Sequence, residues 1–212
     1  MGDALKIDLH VHTRRSGHSL LKVEKVASIA KRRGLDAVAI TDHDEIDSAL
    51  ELSKLFPTVV GEEISCDEGD IIGLFLTERI GRGPVLEVMD RIRAQGGLVM
   101  VPHPFDSLRK EALMNEELCA KGDLIEIFNS RVTKARDNAR AAEFAEARGM
   151  LPVVGSDAHT AAEIGRSWIE VSSCAGPDLF IKSLPAGRMH TSKSPFYVHL
   201  QTKLLKLTEA FH

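Results

Sequence analysis

The chain has 212 residues, of which 43% are hydrophobic and 27% charged, a composition typical of a soluble globular protein. This length fits a single domain with a substantial core, and no apolar stretch approaches the length that crosses a membrane. The formal net charge of −4 argues against tight binding of long nucleic acid, which needs a broad basic surface. Three scattered cysteines, Cys66, Cys119 and Cys174, indicate a reduced, cytoplasmic protein.

Short apolar runs alternate with helical patterns along the chain. The predicted strands cover residues 5–11, 37–40, 58–64, 70–76, 98–101, 124–128, 153–154 and 168–171. The predicted helices cover residues 23–34, 47–56, 85–95, 110–120 and 134–148. Such an alternation is typical of an α/β protein in which helices cross between parallel strands.

Side chains of metal-ligand type lie at or directly after the carboxyl ends of five of the predicted strands. In the first motif, Asp8-Leu-His10-Val-His12, the three polar residues share one face, because side chains alternate along a strand. The other motifs are Asp42-His43-Asp44, Glu62-Glu63, His103 and Asp157-Ala-His159. Parallel α/β sheets and β/α barrels place their sites at the carboxyl ends of the strands, so these side chains are expected to converge. Imidazoles and carboxylates without thiolates favour zinc, manganese or iron(II).

The order of these motifs resembles the polymerase and histidinol phosphatase (PHP) family over residues 5 to about 170. The matching segments read D-L-H-V-H-T, T-D-H, G-E-E-I, V-P-H-P and G-S-D-A-H-T. The resemblance implies a distorted seven-stranded β/α (TIM-like) barrel with two or three divalent metal ions that hydrolyses phosphate esters. The chain length also fits seven β/α units better than eight.

The resemblance further implies a set of metal ligands. One ion would be bound by His10, His12, Glu63 and Asp157. Glu63 would bridge to a second ion that also takes His103. A third ion would take His18, His43 and His159.

Some positions depart from the commoner family pattern, and at one place the ligand has to be chosen between two adjacent glutamates. Gly17 stands where many members carry an aspartate, whereas His18 matches a form found in other members. Asp70 stands where members often carry a histidine, so it is either a replacement ligand or a sign of weaker binding of the second ion. Adjacent Glu62 and Glu63 point to opposite faces of a strand, and the family spacing selects Glu63. Asp42 is expected to cap the following helix or to orient a ligand rather than to bind metal, and Asp8 is also a candidate to orient a ligand.

The activity implied by the resemblance is hydrolysis of a small phosphate ester, either a phosphomonoester or a short nucleotide. A hydroxide that bridges the ions at Glu63 and Asp157, the predicted catalytic residues, would attack phosphorus. Arg131 follows the strand 124–128 and is the leading candidate to bind the phosphate. Asn129 and Arg166 are further candidates for substrate binding.

Three alternative functions remain open at this stage. The chain could be a histidinol-phosphate phosphatase, although no motif selects that substrate. It could be an amidohydrolase-like enzyme that cleaves C–N bonds, since those barrels also begin with H-x-H on the first strand. It could also be a metal-binding domain without catalytic activity.

The sequence predicts a barrel over residues 1–190 and a C-terminal amphipathic helix over residues 191–212. The apolar residues of this helix are Val198, Leu204, Leu205, Leu207 and Phe211. The helix is expected to pack on the barrel or on a partner subunit of a homo-oligomer. The predicted partner is otherwise a small phosphorylated substrate, with neither long nucleic acid nor a membrane expected.

Overall fold

The protein is built on one curled sheet. The computed structural model describes residues 4–209, with side chains described as far as residue 202. Its nine strands are β1 (Leu5–Val11), β2 (Ala37–Ile40), β3 (Thr58–Ile64), β4 (Ile71–Leu74), β5 (Leu98–Val101), β6 (Leu124–Asn129), β7 (Leu151–Gly155), β8 (Trp168–Val171) and β9 (Arg188–His190). Their order across the sheet is β7-β6-β5-β4-β3-β2-β1-β8-β9.

Seven helices accompany the strands in the described part of the chain. They are α1 (Val23–Arg32), α2 (Asp47–Ser53), α3 (Val85–Ala94), α4 (Glu116–Cys119), α5 (Ala135–Arg148), α6 (Pro177–Ser183) and α7 (Phe196–Glu209). Local chemistry sets several of their ends. The side chain of Asn115 accepts hydrogen bonds from two backbone N–H groups at the start of α4, and α5 ends at Gly149, whose φ of 62° favours glycine.

The sheet curls until the end of β7 returns to β1. Beyond β7, the backbone N–H of Ala158 donates to the carbonyl of His10 at 3.2 Å, and the N–H of His12 donates to the carbonyl of Ala158 at 2.9 Å. These bonds nearly close a barrel from β1 to β7. They also bring the segment after β7 beside the end of β1, where the polar motifs begin.

The predicted count of seven strands is wrong, because the sheet has nine strands within residues 4–209. Closure between β7 and β1 involves only the end of β1, so its first residues have a free edge. Strand β8 covers that edge by antiparallel pairing with Leu5–Ile7, and β9 pairs with β8. Covering an open edge satisfies backbone groups that would otherwise be free to pair with another chain.

One strand of the barrel runs against the others. Strands β1, β2, β3, β5, β6 and β7 share a direction, whereas β4 is antiparallel to both of its neighbours. Only residues 65–70 connect β3 to β4, which is too short for the crossover that a parallel pair requires. The prediction of parallel strands is therefore correct for these six strands and wrong for β4 and for β8, which pairs antiparallel with β1.

Most predicted elements lie where the structure has them, with one exception, and two elements of the structure were not predicted. The helix expected over 110–120 is only the single turn α4, because the preceding residues form turns such as Arg109 N–H to the Asp106 carbonyl at 3.1 Å. Helix α6 and strand β9 were not predicted. The buried apolar side chains form two clusters on alternating positions, so that in β2 Ala37 and Ala39 belong to one cluster and Val38 and Ile40 to the other.

Helix α7 lies against the barrel through its first turns. Val198 is fully buried, and the guanidinium Nη2 of Arg131 donates to Oγ1 of Thr202 at 2.9 Å. Of the apolar residues predicted for this helix, Leu204, Leu205, Leu207 and Phe211 lie outside the residues whose side chains are described. The division into a barrel of residues 1–190 and a C-terminal helix stays a prediction. None of the described helices is both long and apolar enough to cross a membrane.

Gly155 gives a test of the barrel closure. A Cβ at this position would meet Cβ of His10 at 2.6 Å and would also press on the Glu126 carboxylate. We expect Gly155→Ala to lower the free energy of unfolding by about 1–3 kcal/mol, the usual cost of overpacking, measured by urea denaturation. Gly81→Ala is the control, because the nearest atom to its Cβ is the end of the Arg91 side chain at 3.5 Å. Equal stabilities of the two variants would contradict the tight packing of β7 on β1.

Candidate metal centre

The side chains of metal-ligand type meet at the carboxyl ends of the parallel strands. His10 and His12 belong to or directly follow β1, and Glu63 lies on β3. His43, His103, Asp157 and His159 lie in the segments that follow β2, β5 and β7. All of these side chains are buried except that of His43, which is about a quarter exposed.

Unusual backbone conformations turn some of these residues inward. His103 has φ 30° and Asp157 has φ 53°, both in the left-handed region that residues other than glycine seldom adopt. Each of the two residues comes within two positions of a strand end. Such strained residues persist only where the surrounding structure holds them, and they cluster at functional sites.

Three overlapping groups of side chains have ligand atoms within 4.8 Å of one another. They are His10, His12 and Asp157; His10, Glu63 and His103; and His12, His43 and Glu63. The groups share members, so they form one continuous cluster. The two oxygens of Glu63 face different histidines: Oε1 lies 3.0 Å from His103 Nε2, and Oε2 lies 3.2 Å from His12 Nε2. This arrangement suits a carboxylate that bridges two ions.

The tautomers of His10 and His12 can be inferred from the partners of their Nδ1 atoms. Nδ1 of His10 lies 3.1 Å from the Glu126 carboxylate and therefore donates to it. Nδ1 of His12 lies 3.0 Å from Oγ of Ser16, and this hydroxyl donates to Asp42, so it accepts from the imidazole. Both Nδ1 atoms thus carry protons, so the Nε2 atoms face the cluster and are the ones that would bind a metal.

Those two Nε2 atoms face each other across only 3.0 Å, with two carboxylate oxygens beside them. Glu63 Oε2 and Asp157 Oδ1 lie 3.2 and 3.4 Å from His12 Nε2. Both oxygens are buried, and neither has a hydrogen-bond partner among the residues that the structure describes. A proton shared by the two rings would serve only one of these contacts. A single metal ion can accept electron density from all four atoms, so the residues fit a metal.

The electrostatics of the cluster agree with this fit. Burial alone would raise the pKa of Glu63 and of Asp157. Neighbouring histidines instead hold the pKa of Glu63 well below its usual range, and Arg109 and His10 do the same for Asp157. Burial lowers the pKa of His10, but the carboxylates of Asp157, Glu126 and Glu63 together have the larger effect and raise it to well above its ordinary value. The carboxylates are therefore ionised and attract positive charge to the ring nitrogens.

Two acids predicted to orient ligands have different roles. Asp42 accepts from Oγ of Ser16 at 2.5 Å and so orients His12 through that hydroxyl. Asp8 does not contact the imidazoles; it accepts from the backbone N–H groups of Ser156 at 3.0 Å and Gly165 at 2.9 Å, and so ties β1 to the segment after β7. The ring of His10 is oriented instead by Glu126, which the sequence analysis missed.

Glu126 is missed because it lies inside β6 and is not preceded by a motif. One of its oxygens contacts His10, while the other accepts from the backbone N–H of His103 at 2.7 Å and from Nδ2 of Asn129 at 2.9 Å. The one available signal is a charged residue in the middle of the apolar strand Leu124–Asn129, since a buried acid there needs partners.

The predicted third group of histidines is close together, without forming a compact ligand set. The ring centroid of His18 lies 5.0 Å from that of His43 and 4.6 Å from that of His159. Among the described residues, however, this trio is not one of the groups with ligand atoms within 4.8 Å of one another. Asp70 is likewise outside those groups; burial, then repulsion from Glu63, raises its pKa to about 8. Ligand roles for His18, His159 and Asp70 stay predictions.

A cavity of about 470 Å³ opens over the cluster. His18, His43, Asp70 and His159 line it, together with Arg82, Arg109 and Arg131. Arg109 was not predicted: it lies in the loop after β5, and its Nη2 donates to Asp157 Oδ2 at 2.8 Å. Its sequence neighbourhood carries no motif, so only the fold shows that this loop reaches the site.

The predicted substrate-binding residues have separate locations. Arg131 lines the cavity, with its guanidinium held by Glu163 at 2.8 Å and Thr202 at 2.9 Å. Asn129 is fully buried beneath the site, where its Nδ2 donates to Glu126 and to Asp157 Oδ2. Arg166 lines another surface pocket with Trp168 and His190, so the geometry does not favour it as a substrate ligand.

Comparison with known proteins agrees with this geometry. The family model called PHP domain matches residues 8–68, and a PHP-associated model matches residues 135–189. An uncharacterised protein of Methanocaldococcus jannaschii is 35% identical over 175 residues, which cover 79% of this chain and 71% of that protein. The chain belongs to the PHP family. The resemblance seen in the motifs is thereby confirmed.

Two further proteins are similar to this chain. A protein of Syntrophotalea carbinolica named "Probable phosphatase" is 28% identical over 202 residues, covering 75% of this chain and 82% of that protein. A solved structure from Bacteroides vulgatus, a two-domain protein containing a predicted PHP-like metal-dependent phosphoesterase, superimposes with a TM-score of 0.71 at 17% identity. That comparison covers 89% of this chain and 65% of the longer protein, and it supports the PHP fold.

Glu126→Gln tests the ring orientation of His10. Oε2 of Glu126 accepts from two N–H donors, the backbone of His103 and Nδ2 of Asn129. In the variant the amide oxygen of Gln would take the place of Oε2, and its NH₂ group would face Nδ1 of His10. His10 would then carry its proton on Nε2, the atom that would bind a metal. We expect the affinity for Zn²⁺ to fall about 10- to 100-fold, measured by competition with a chromophoric chelator.

Glu62→Gln is the matched control for this experiment. Glu62 is also a fully buried acid, but it accepts from the backbone N–H of Ile80 at 2.7 Å and belongs to none of the ligand groups. Burial raises the pKa of Glu62 to about 7, so both variants are compared above pH 8, where Glu62 is ionised and its replacement removes a full charge. The Glu62→Gln variant should bind Zn²⁺ with nearly native affinity. Equal losses in the two variants would show that a change of charge, rather than the tautomer of His10, controls binding.

Proposed function

We propose that this PHP protein is a metal-dependent phosphatase that hydrolyses a small phosphate ester. The observation that carries the proposal is the convergence of His10, His12, Glu63 and Asp157 on one point beneath a cavity lined with arginines. The names of similar proteins, a "Probable phosphatase" and a PHP-like metal-dependent phosphoesterase, support the same reaction class.

The residues divide into a metal-binding set and a phosphate-binding set. We assign His10, His12, Glu63, His103 and Asp157 to two ions, and His18, His43 and His159 to a third. Their nitrogen and oxygen donors suit zinc, manganese or iron(II). Bound divalent ions would supply Lewis acidity, lowering the pKa of water and offsetting charge on the phosphoryl oxygens. Glu63 and Asp157 stay ionised to hold those ions and are the catalytic residues of the proposal.

The arginines supply fixed donors for the phosphate oxygens. The guanidinium of Arg109 lies beside Asp157, with its side chain about one fifth exposed towards the cavity. Arg131 lies in the same lining, oriented by Glu163 and Thr202. A planar guanidinium can donate two parallel hydrogen bonds to a phosphate, which both binds and orients it.

The size of the cavity favours a small substrate. Its volume of about 470 Å³ falls within the usual range for small-molecule sites, and an acidic protein has little surface for long nucleic acid. Cytoplasmic location and a homo-oligomer formed through the C-terminal helix stay predictions.

The proposal is tested by release of inorganic phosphate from a panel of sugar, nucleotide and amino-alcohol phosphates, with Zn²⁺, Mn²⁺ or Fe²⁺ added. Turnover that disappears with a chelator and returns with metal is the expected result. A protein that binds metal but hydrolyses no phosphate ester would instead be a metal-binding domain without this activity.

Arg131→Ala tests the phosphate-binding role. Loss of a charged hydrogen bond is worth about 1.5–3 kcal/mol, so kcat/KM for a phosphomonoester should fall roughly 10- to 100-fold. Arg166→Ala is the control, because Arg166 lies in another pocket, and it should change kcat/KM less than about twofold. Glu163 loses its partner in Arg131→Ala, which could destabilise the fold. The thermal unfolding and the metal content of each variant are therefore measured to exclude a general loss of structure. Unchanged kcat/KM in Arg131→Ala would contradict the assignment.

A further inference from the structure

Helix α7 lies outside both segments that the family models match, yet it forms part of the cavity. The models match residues 8–68 and 135–189, whereas α7 begins at Phe196. Two of its residues, His199 and Thr202, line the cavity above the cluster of candidate metal ligands. The helix is anchored there by Val198, which is fully buried.

The segment that leads into α7 is tied to the loop after β6. The backbone N–H of Ser194 donates to the carbonyl of Ser130 at 2.9 Å, and Nζ of Lys193 donates to the carbonyl of Thr133 at 2.8 Å. Arg131, between those two positions, donates to Thr202 on α7 itself. The helix is therefore fastened to the loop that carries the proposed phosphate-binding arginine.

Thr202 orients Arg131 rather than merely filling space. Its hydroxyl donates to the carbonyl of Val198 at 3.2 Å, which leaves a lone pair to accept from Nη2 of Arg131 at 2.9 Å. The other terminal nitrogen, Nη1, is held by Glu163 at 2.8 Å. Because both terminal nitrogens are held in place, the guanidinium loses little further conformational freedom when it binds an anion.

His199 is half-buried at the opening of the same cavity. Its imidazole lies in the electrostatic field of Arg131, Asp157, Arg109 and Asp106. Burial, with the neighbouring Arg131, lowers the pKa of His199, so the ring is neutral near pH 7 and offers one donor and one acceptor. A neutral imidazole in this position can bind hydroxyl groups.

We propose that α7 forms a wall of the substrate pocket and that His199 binds the alcohol part of the ester. The proposal rests on the proposed phosphatase function and specifies its substrate. The cavity is much larger than a phosphoryl group, so it also has room for the alcohol. Among the described residues that line it, Leu108 is the only apolar one, which favours an alcohol rich in hydroxyl groups, such as a sugar, over an alkyl or aryl alcohol.

The test compares two substrates in the His199→Ala variant. Ribose 5-phosphate represents the hydroxyl-bearing esters, and para-nitrophenyl phosphate represents the aryl esters. The loss of one or two hydrogen bonds should raise KM for ribose 5-phosphate at least about fivefold. Both kcat and KM for para-nitrophenyl phosphate should stay within about twofold of native. His190→Ala is the control, because His190 stacks on Trp168 in another pocket and should behave as native on both substrates.

Three results would overturn this inference. Native kinetics of His199→Ala on both substrates would show that α7 does not contact the alcohol, while the phosphatase function would stand. Equal losses on both substrates would place His199 in the reaction or in folding rather than in recognition. A native protein that releases phosphate from no ester would end the phosphatase proposal and this inference with it.

Thr202→Val provides a second, independent variant, because it removes the hydroxyl but keeps the shape. Since Arg131 binds the phosphate common to all esters, KM should rise at least about fivefold for both substrates with a smaller change in kcat. Thr202→Ser restores the hydroxyl and should recover most of the native KM. Native kinetics in Thr202→Val would contradict the positioning role of α7.

Discussion

The site depends on four buried nitrogen and oxygen atoms whose lone pairs face one another and require a positive charge between them. The Nε2 atoms of His10 and His12 face each other across 3.0 Å, and unpartnered oxygens of Glu63 and Asp157 lie next to them. Burying such groups together without a positive charge is costly, because each has lost its hydration. The rest of the architecture follows this constraint: parallel strands end at one point, and Glu126 and Ser16 hold the rings so that their lone pairs face it.

The convergence of the candidate ligands could be predicted because the signals for these residues are local in the sequence. His10 and His12 alternate along one strand, and the motifs around His43, Glu63, His103 and Asp157 each follow a short apolar run. The fold then brings strand ends together, as α/β architecture requires. Strands such as Leu5–Val11 and Thr58–Ile64 have their predicted bounds for the same reason, since an apolar run between turn residues identifies a buried strand.

The residues that were missed depend on contacts between distant parts of the chain. Glu126 lies 116 positions from His10, and Arg109 lies 48 positions from Asp157. No spacing rule connects such pairs. The antiparallel pairing of β8 and β9 is similarly a property of the closed sheet, because the return of β7 covers only the end of β1 and so determines which residues of β1 remain for β8 to pair with. Arg166 shows the opposite case: its position after His159 suggested the site, but the turn after Glu163 directs it into another pocket.

The most direct test of this account is anomalous diffraction from crystals of protein purified without chelator and supplied with Zn²⁺. The account predicts a zinc peak about 2.0–2.2 Å from Nε2 of His10, Nε2 of His12 and a carboxylate oxygen of Asp157, with a second peak between Glu63 and His103. Crystals that show no anomalous peak at these side chains, with the two Nε2 atoms still 3.0 Å apart, would contradict it.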